Sequence, residues 1–266
     1  MNFKQKESYD IHDLLAIIAL LRGQDGCPWD KEQDHHSIRK NLLEEAYEAA
    51  EAIDLEDKEL LKEELGDVLM QVVFHSQIEQ ETDGFSFQEV CDGVCKKLIV
   101  RHPHVFGDVS VHDSNEVLSN WENIKRKTKG QKTYTQTLQS VPKPLPALSK
   151  NEKILKRAAK AGFSCWKDQQ ALLQYIEKKL QRLQEKLTQQ EKESATNEYG
   201  ELLFALTELA RVHEIDGEEA LEKTCNRFVD SFAKMEQLAI QKNVSIDAAT
   251  TETLLELFRE ANHIGS

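Results

Sequence analysis

Apolar residues recur every three or four positions along almost the whole chain, a period that a helix satisfies and a strand does not. Such segments cover Ile11–Arg22, Ile38–Asp54, Lys58–Gln80, Phe87–Val100 and Ser114–Lys129, and resume at about Glu152 in four further segments. No stretch carries a strong strand signal, so the expected class is all-α. Between the two sets lies Gly130–Lys150, which holds three of the five prolines, Pro142, Pro144 and Pro146. Proline cannot continue a helix, and this stretch reads as a semi-rigid connector. The expected organisation is a first domain over 1–130, a Pro-containing linker over 131–150 and a second domain over 151–266.

The two halves echo each other. "ELGDVL" (Glu64–Leu69) and "EYGELL" (Glu198–Leu203) share one pattern, and "GCPWDKEQ" upstream is echoed by "GFSCWKDQQ". The first pair lies 134 residues apart and the second 137. So constant an offset points to a tandem duplication.

A formal net charge of −13 at pH 7 argues against a nucleic-acid surface, which needs a basic face. A phosphorylated substrate stays open, provided a cation stands between acid and phosphate. No apolar run approaches the roughly 20 residues of a membrane span, and "MNFKQKESYD" lacks the apolar core of a signal peptide. The cysteines (Cys27, Cys91, Cys95, Cys165, Cys225) are odd in number and scattered, which fits reduced thiols in a cytoplasmic protein.

One stretch concentrates charge: Leu42–Leu69 holds eleven carboxylates and two lysines. On a helix at roughly 100° per residue, Leu42, Ala46, Ala49, Ala50 and Ile53 form the expected buried stripe. Glu45 falls at its edge and Glu48 one turn on, while Glu44 and Glu51 point towards solvent. In the next segment "VLMQVVF" (Val68–Phe74) is apolar all round except for Gln71, which implies burial on every side. Glu64, Asp67 and Gln71 nevertheless make one polar stripe along it. The short connector Asp54–Glu59 makes the two helices an antiparallel pair, so Glu45 and Glu48 can face Glu64 and Asp67. Four carboxylates in one concavity call for a hard divalent cation, Mg²⁺ above all. The plainer reading makes them exposed acids paired with Lys58 and Lys62, but two lysines cannot neutralise the cluster.

"EEAYE" (Glu44–Glu48) followed by "ELGD" (Glu64–Asp67) resembles the signature of MazG-type nucleoside triphosphate pyrophosphohydrolases. "GCPWDKEQ", "RHPHVFGD" (Arg101–Asp108) and "PLPAL" (Pro144–Leu148) fit the same family, in the same order, across the whole chain. The resemblance implies an all-α bundle, a homodimer, and hydrolysis of NTPs to NMP and pyrophosphate with Mg²⁺, or Mn²⁺ as a substitute. It implies Glu45, Glu48, Glu64 and Asp67 as metal ligands, with Glu44 as a supporting acid or water-orienting group. Lys31, Lys97 and Arg101 are candidates to meet phosphate, and Trp29 to stack on a base. His102 and His104 flank a proline, and read as loop anchors rather than metal ligands.

The second half departs from that pattern. Its acid motif has become Ile176, Glu177, Lys178, Lys179, Leu180, although Glu198 and Glu201 persist. Where the family carries K-A-N-x-K-F-x-R-R-F, this chain has "KTCNRFVDSF" (Lys223–Phe232), with Cys225, Asp230 and Ser231 in place of asparagine and two arginines. The expected second domain is non-catalytic. Two rivals remain: a non-catalytic helical protein that binds nucleotide or a regulatory partner, and a di-iron bundle built on "EQDH" (Glu32–His35) and "EANH" (Glu260–His263).

Overall fold

Local signals set most helix ends. Asp10 opens the first helix with a reciprocal capping box to Asp13, and Ser86 does the same for the fifth with Glu89. Asp57 and Asp168 accept backbone N–H groups at two further starts. The computed structural model describes residues 4–128 and 130–262, with backbone alone at 115, 118, 119, 122 and 123. It divides into two compact units, Met1–Lys125 and Arg126–Ser266.

The first unit contains α1 (Ile11–Arg22), α2 (Pro28–Glu32), α3 (Arg39–Asp54), α4 (Lys58–Glu81), α5 (Phe87–Arg101), α6 (Pro103–Phe106) and most of α7 (Ser114–Thr128). The second contains α8 (Tyr134–Gln139), α9 (Ala147–Lys160), α10 (Gln169–Thr188), α11 (Lys192–Val212), α12 (Gly217–Gln241), a 3₁₀ turn (Ile246–Ala248) and α13 (Thr251–Ala261). No strand occurs among the described residues, and the chain is all-α as expected. Helicity resumes at Ala147 rather than Glu152, and five α-helices follow rather than four. The 131–150 stretch includes α8 and the first turn of α9. Arg157 of α9 donates to the Thr137 carbonyl (2.5 Å) and to Ser140 Oγ (2.9 Å), which ties that stretch to the second unit. No described helix is long and apolar enough to cross a membrane.

In the first unit α4 packs against α1 on one side and α3 on the other. Ile18 of α1 meets Val73, Phe74 and Ile78 of α4, with Ile38 closing the layer. α11 packs likewise against α9 and α10 in the second unit. The order α1, α3, α4 thus returns as α9, α10, α11.

Arg22 joins three pieces of the first unit. Its guanidinium forks onto Glu81 of α4 (2.9 and 2.7 Å), reaches the carbonyls of Asp30 (2.6 Å) and Gln33 (3.0 Å), and lies 5.1 Å over the Phe74 ring. It is buried, and its charge holds the Glu81 carboxyl below the usual range. Arg22→Met is expected to cost about 2–4 kcal/mol, because two carbonyls and a carboxylate lose their partner. Urea unfolding would read this, and a change within error would remove Arg22 as the anchor of the "GCPWDKEQ" loop.

Candidate active site

The α3–α4 turn is tight. Leu55 caps α3, Glu56 adopts φ 55°, and the Asp57 side chain starts α4 by accepting from Glu59 and Leu60 N–H. A non-glycine residue in the left-handed region is uncommon and strained. It holds the two helices antiparallel in one register.

That register turns α3 differently from the expected stripe. The buried positions are Ala49 and Ala52, the latter fully so at 0%, with Leu42 and Glu45 half-buried beside them. Ala46 and Ala50 are exposed, and Ile53 is 60% exposed. Glu45, Ala49 and Ala52 therefore form the inward line, at i, i+4 and i+7. Apolar residues divide α3 into two faces, and only packing on α4 selects between them. The expected all-round burial of Val68–Phe74 is also corrected. Gln71, Val73 and Phe74 are buried, whereas Leu69 is exposed and Val68, Met70 and Val72 are half-buried.

The inward line brings carboxylates together. Glu45, Glu48 and Glu64 each offer an oxygen within 4.8 Å of the others. Asp67 lies outside that trio but close enough to act on it. Burial, then the charges of Asp67 and Glu48, raise the Glu45 carboxyl above its ordinary value. Burial, then Glu48 and Asp67, raise Glu64. Glu44 lies on the exposed face. Among the described residues none of these five acids joins a salt bridge, and Lys62 pairs instead with Glu59 on its own helix. Mutually repelling, unpaired carboxylate oxygens are a donor set that fits a hard divalent cation. The reading as acids neutralised by Lys58 and Lys62 finds no support here.

These shifts carry a stability consequence. A carboxyl with a raised folded pKa favours the folded state when protonated, and that contribution is lost as pH rises through the folded value. Without divalent cation, stability is therefore expected to fall as pH rises from about 4.5, relative to Glu45→Gln, in which this loss is reduced. Melting curves of both proteins in EDTA, from acid to neutral pH, check this. Parallel profiles would mean that Glu45 feels no such repulsion.

The other expected residues lie on α2 and α5. Trp29 on α2 is 58% exposed. Lys31 donates to the Gln24 carbonyl (3.0 Å) within its own loop. Lys97 and Arg101 share a face of α5, with Lys97 exposed and the Arg101 guanidinium 5.2 Å over the Trp121 ring. His102 caps α5, with Nδ1 2.7 Å from the Leu98 carbonyl and its ring edge-on to Trp121 at 4.8 Å. His102 and His104 belong to no potential metal group among the described residues.

Sequence reasoning missed a polar cluster between α4 and the turn that precedes α3. His35 and His75 meet edge to edge, their rings within 7° of one plane, centroids 5.1 Å and Nδ1 atoms 2.8 Å apart, and His35 Nε2 lies 2.8 Å from Glu79 Oε1. Gln71, His75 and Glu79 continue the Glu64–Asp67 face by successive turns, a spacing that was readable in advance. Its partner His35, 40 residues upstream, was not. This engagement leaves His35 outside any metal group among the described residues, and His263 of the di-iron reading lies outside them.

In the second unit the α10–α11 hairpin repeats the first with a cation built in. Gln190 takes φ 58°, 134 residues after Glu56. At the same offset Glu198 stands for Glu64, Glu201 for Asp67 and Lys179 for Glu45. Lys179 is only 6% exposed, and its ammonium lies 2.9 Å from Glu198 and 2.5 Å from Glu201. Tyr175 Oη donates to Glu201 at 2.7 Å. The hydrogen bonds from Lys179 and Tyr175 hold the Glu201 carboxyl below its ordinary value. Lys179, not Glu177, is thus the counterpart of Glu45. Matching short degenerate motifs had placed the helix two residues out of register, and the left-handed turn restores it.

The fold and the acid hairpin define a class of all-α proteins with converging carboxylates that could hold a metal ion. Residues 33–106 match the model of the MazG nucleotide pyrophosphohydrolase domain. The chain is 39% identical to the nucleoside triphosphate pyrophosphohydrolase/pyrophosphatase MazG of Thermotoga maritima, over 94% of both chains. It is 38% identical to the nucleoside triphosphate pyrophosphohydrolase of Escherichia coli K12, over 94% of this chain and 96% of that one. It is also 42% identical to the protein YabN of Bacillus subtilis, over 92% of this chain and 50% of that one. The chain belongs to the MazG family of nucleoside triphosphate pyrophosphohydrolases, and is an enzyme of the hydrolase class.

Proposed function

We propose that the protein hydrolyses nucleoside triphosphates to nucleoside monophosphate and pyrophosphate, with Mg²⁺, through its first domain. The observation that carries this is the trio Glu45, Glu48 and Glu64, converging without a salt bridge to any cationic side chain among the described residues. The pyrophosphohydrolase names of the two relatives matched over nearly their full length support the substrate class. Glu45, Glu48, Glu64 and Asp67 would hold Mg²⁺, or Mn²⁺ in its place. Bound there, the cation supplies positive charge to the phosphate oxygens.

The residues of this chain do the rest. Glu44 or a free oxygen of the cluster takes the proton of the attacking water. The water oxygen bonds to the α-phosphorus as its bond to the bridging oxygen breaks, and pyrophosphate leaves with the electron pair. Lys31, Lys97 and Arg101 meet the phosphates, and exposed Trp29 offers a face to the base. In the second domain Lys179 and Arg182 stand where Glu45 and Glu48 would, so that domain contributes no turnover. Exposed apolar side chains on α3–α5, among them Tyr47, Leu65, Leu98 and Val100, favour a homodimer. Free cysteines fit a reducing cytoplasm.

Incubating the protein with each of eight NTPs and dNTPs, with and without Mg²⁺, and separating products by ion exchange tests the reading. Mg²⁺-dependent monophosphate and pyrophosphate are expected. Diphosphate and inorganic phosphate would mean that another bond is cut. No turnover, with no thermal stabilisation by Mg²⁺, would favour a non-catalytic binding protein.

A further inference from the structure

Three buried side-chain polar atoms lack a hydrogen-bond partner among the described residues, and two of them, Gln71 Oε1 and His75 Nε2, sit one turn apart on α4. Gln71 is 6% exposed. Leaving such an atom unpaired costs about 1–3 kcal/mol, so an apolar residue would serve packing better. Both positions continue the face that carries Glu64 and Asp67. At 1.5 Å rise per residue Gln71 lies roughly 6–10 Å along the helix from those carboxylates, comparable with the reach from an α-phosphate to its base.

The neighbouring groups determine what these atoms offer. The Glu79 carboxylate accepts, so His35 Nε2 carries the proton of that contact. With that single proton on the His35 ring its Nδ1 is bare, and the 2.8 Å contact then requires His75 Nδ1 to donate to it. His75 Nε2 is left as an acceptor, like Gln71 Oε1. The in-plane Nδ1 contact with His35 holds the imidazole plane, the two rings lying within 7° of each other, and His75 is half-buried. Burial holds His75 below its ordinary pKa, in keeping with a neutral ring.

We propose that Gln71 Oε1 and His75 Nε2, the latter oriented by His35 and Glu79, are paired acceptors that read the exocyclic amine of a nucleobase. This rests on the nucleotide reading above and adds base selectivity to it. Two acceptors side by side attract an amino group and repel a carbonyl. Cytosine offers N4–H₂ where uracil offers O4, so the CTP/UTP pair isolates the effect. Gln71 and His75 are specificity residues here, while His35 and Glu79 are positioning residues.

The test compares wild type with Gln71→Met and His75→Phe, each close in shape and without the acceptor. Steady-state rates with CTP, UTP, dCTP and dUTP are measured, with calorimetric binding of CMP and UMP in Mg²⁺ and Mn²⁺ binding by paramagnetic resonance. Wild type is expected to favour CTP over UTP by about tenfold in kcat/KM, the value of one hydrogen bond. Both variants should bring that ratio towards one, with Mn²⁺ binding and the CTP/dCTP ratio unchanged. The same loss for both bases would make these packing residues and overturn the proposal. An altered CTP/dCTP ratio with the base ranking intact would also overturn it, because the acceptors would then face the sugar. Wild-type turnover without CTP/UTP discrimination overturns it while sparing the hydrolase reading. A wild type that neither turns over nor binds any of these nucleotides overturns both.

Discussion

Glu48→Gln is expected to lower kcat/KM by about a thousandfold while the fold persists, because it removes one of three converging charges and keeps the side-chain volume. The trio is small enough for one oxygen from each residue to lie within 4.8 Å of the others. Losing one charge weakens attraction for a divalent cation more than it weakens the apo fold. In the metal-free protein, Glu48 contributes repulsion to both Glu45 and Glu64. Stability in EDTA should therefore rise or hold in the variant, and stabilisation by Mg²⁺ should shrink. Equal loss of activity and of metal-free stability would point to a folding defect instead. Full activity would remove Glu48 from the site.

Lys179→Glu is expected to have the largest effect on stability. It replaces a buried ammonium by a carboxylate facing Glu198 and Glu201, and leaves like charges unpaired where an ion pair stood. Disrupting such a pair costs about 3–5 kcal/mol. The variant restores the carboxylates at the Glu45, Glu64 and Asp67 positions, with Arg182 still at that of Glu48, so Mn²⁺ or Mg²⁺ should recover part of that loss. Paramagnetic resonance should count more bound Mn²⁺ per chain than in wild type. Destabilisation that no divalent cation relieves would show that the two hairpins are not equivalent at this position. A silent substitution would deny Lys179 its role as a built-in counter-charge.

Both predictions depend on hairpins that were only partly legible. The bounds of α3 and α4 follow from periodicity to within a residue, because that signal acts within one or two turns. The approach of Glu45 and Glu48 to Glu64 followed from a six-residue connector that forces antiparallel pairing. The rotation of α3 did not. Ala46, Ala50 and Ile53 are as apolar as Ala49 and Ala52, and the chain carries no local preference between the two faces.

By itself, the sequence determined an all-α chain of two echoing halves, the ends of the long helices of the first half, its family and the acidic hairpin there. Each depends on residues close in the chain or on an order of short motifs. Only the tertiary structure decided that Glu45 lies on the packed face of α3, that Arg22 binds Glu81 59 residues away, and that His35 orients His75 across 40. It likewise put Lys179, rather than Glu177, between Glu198 and Glu201. These choices turn on a helix's rotation and on long-range polar pairing. A change of about 100° per residue alters which side chain is enclosed, and periodicity alone does not identify the enclosing partner.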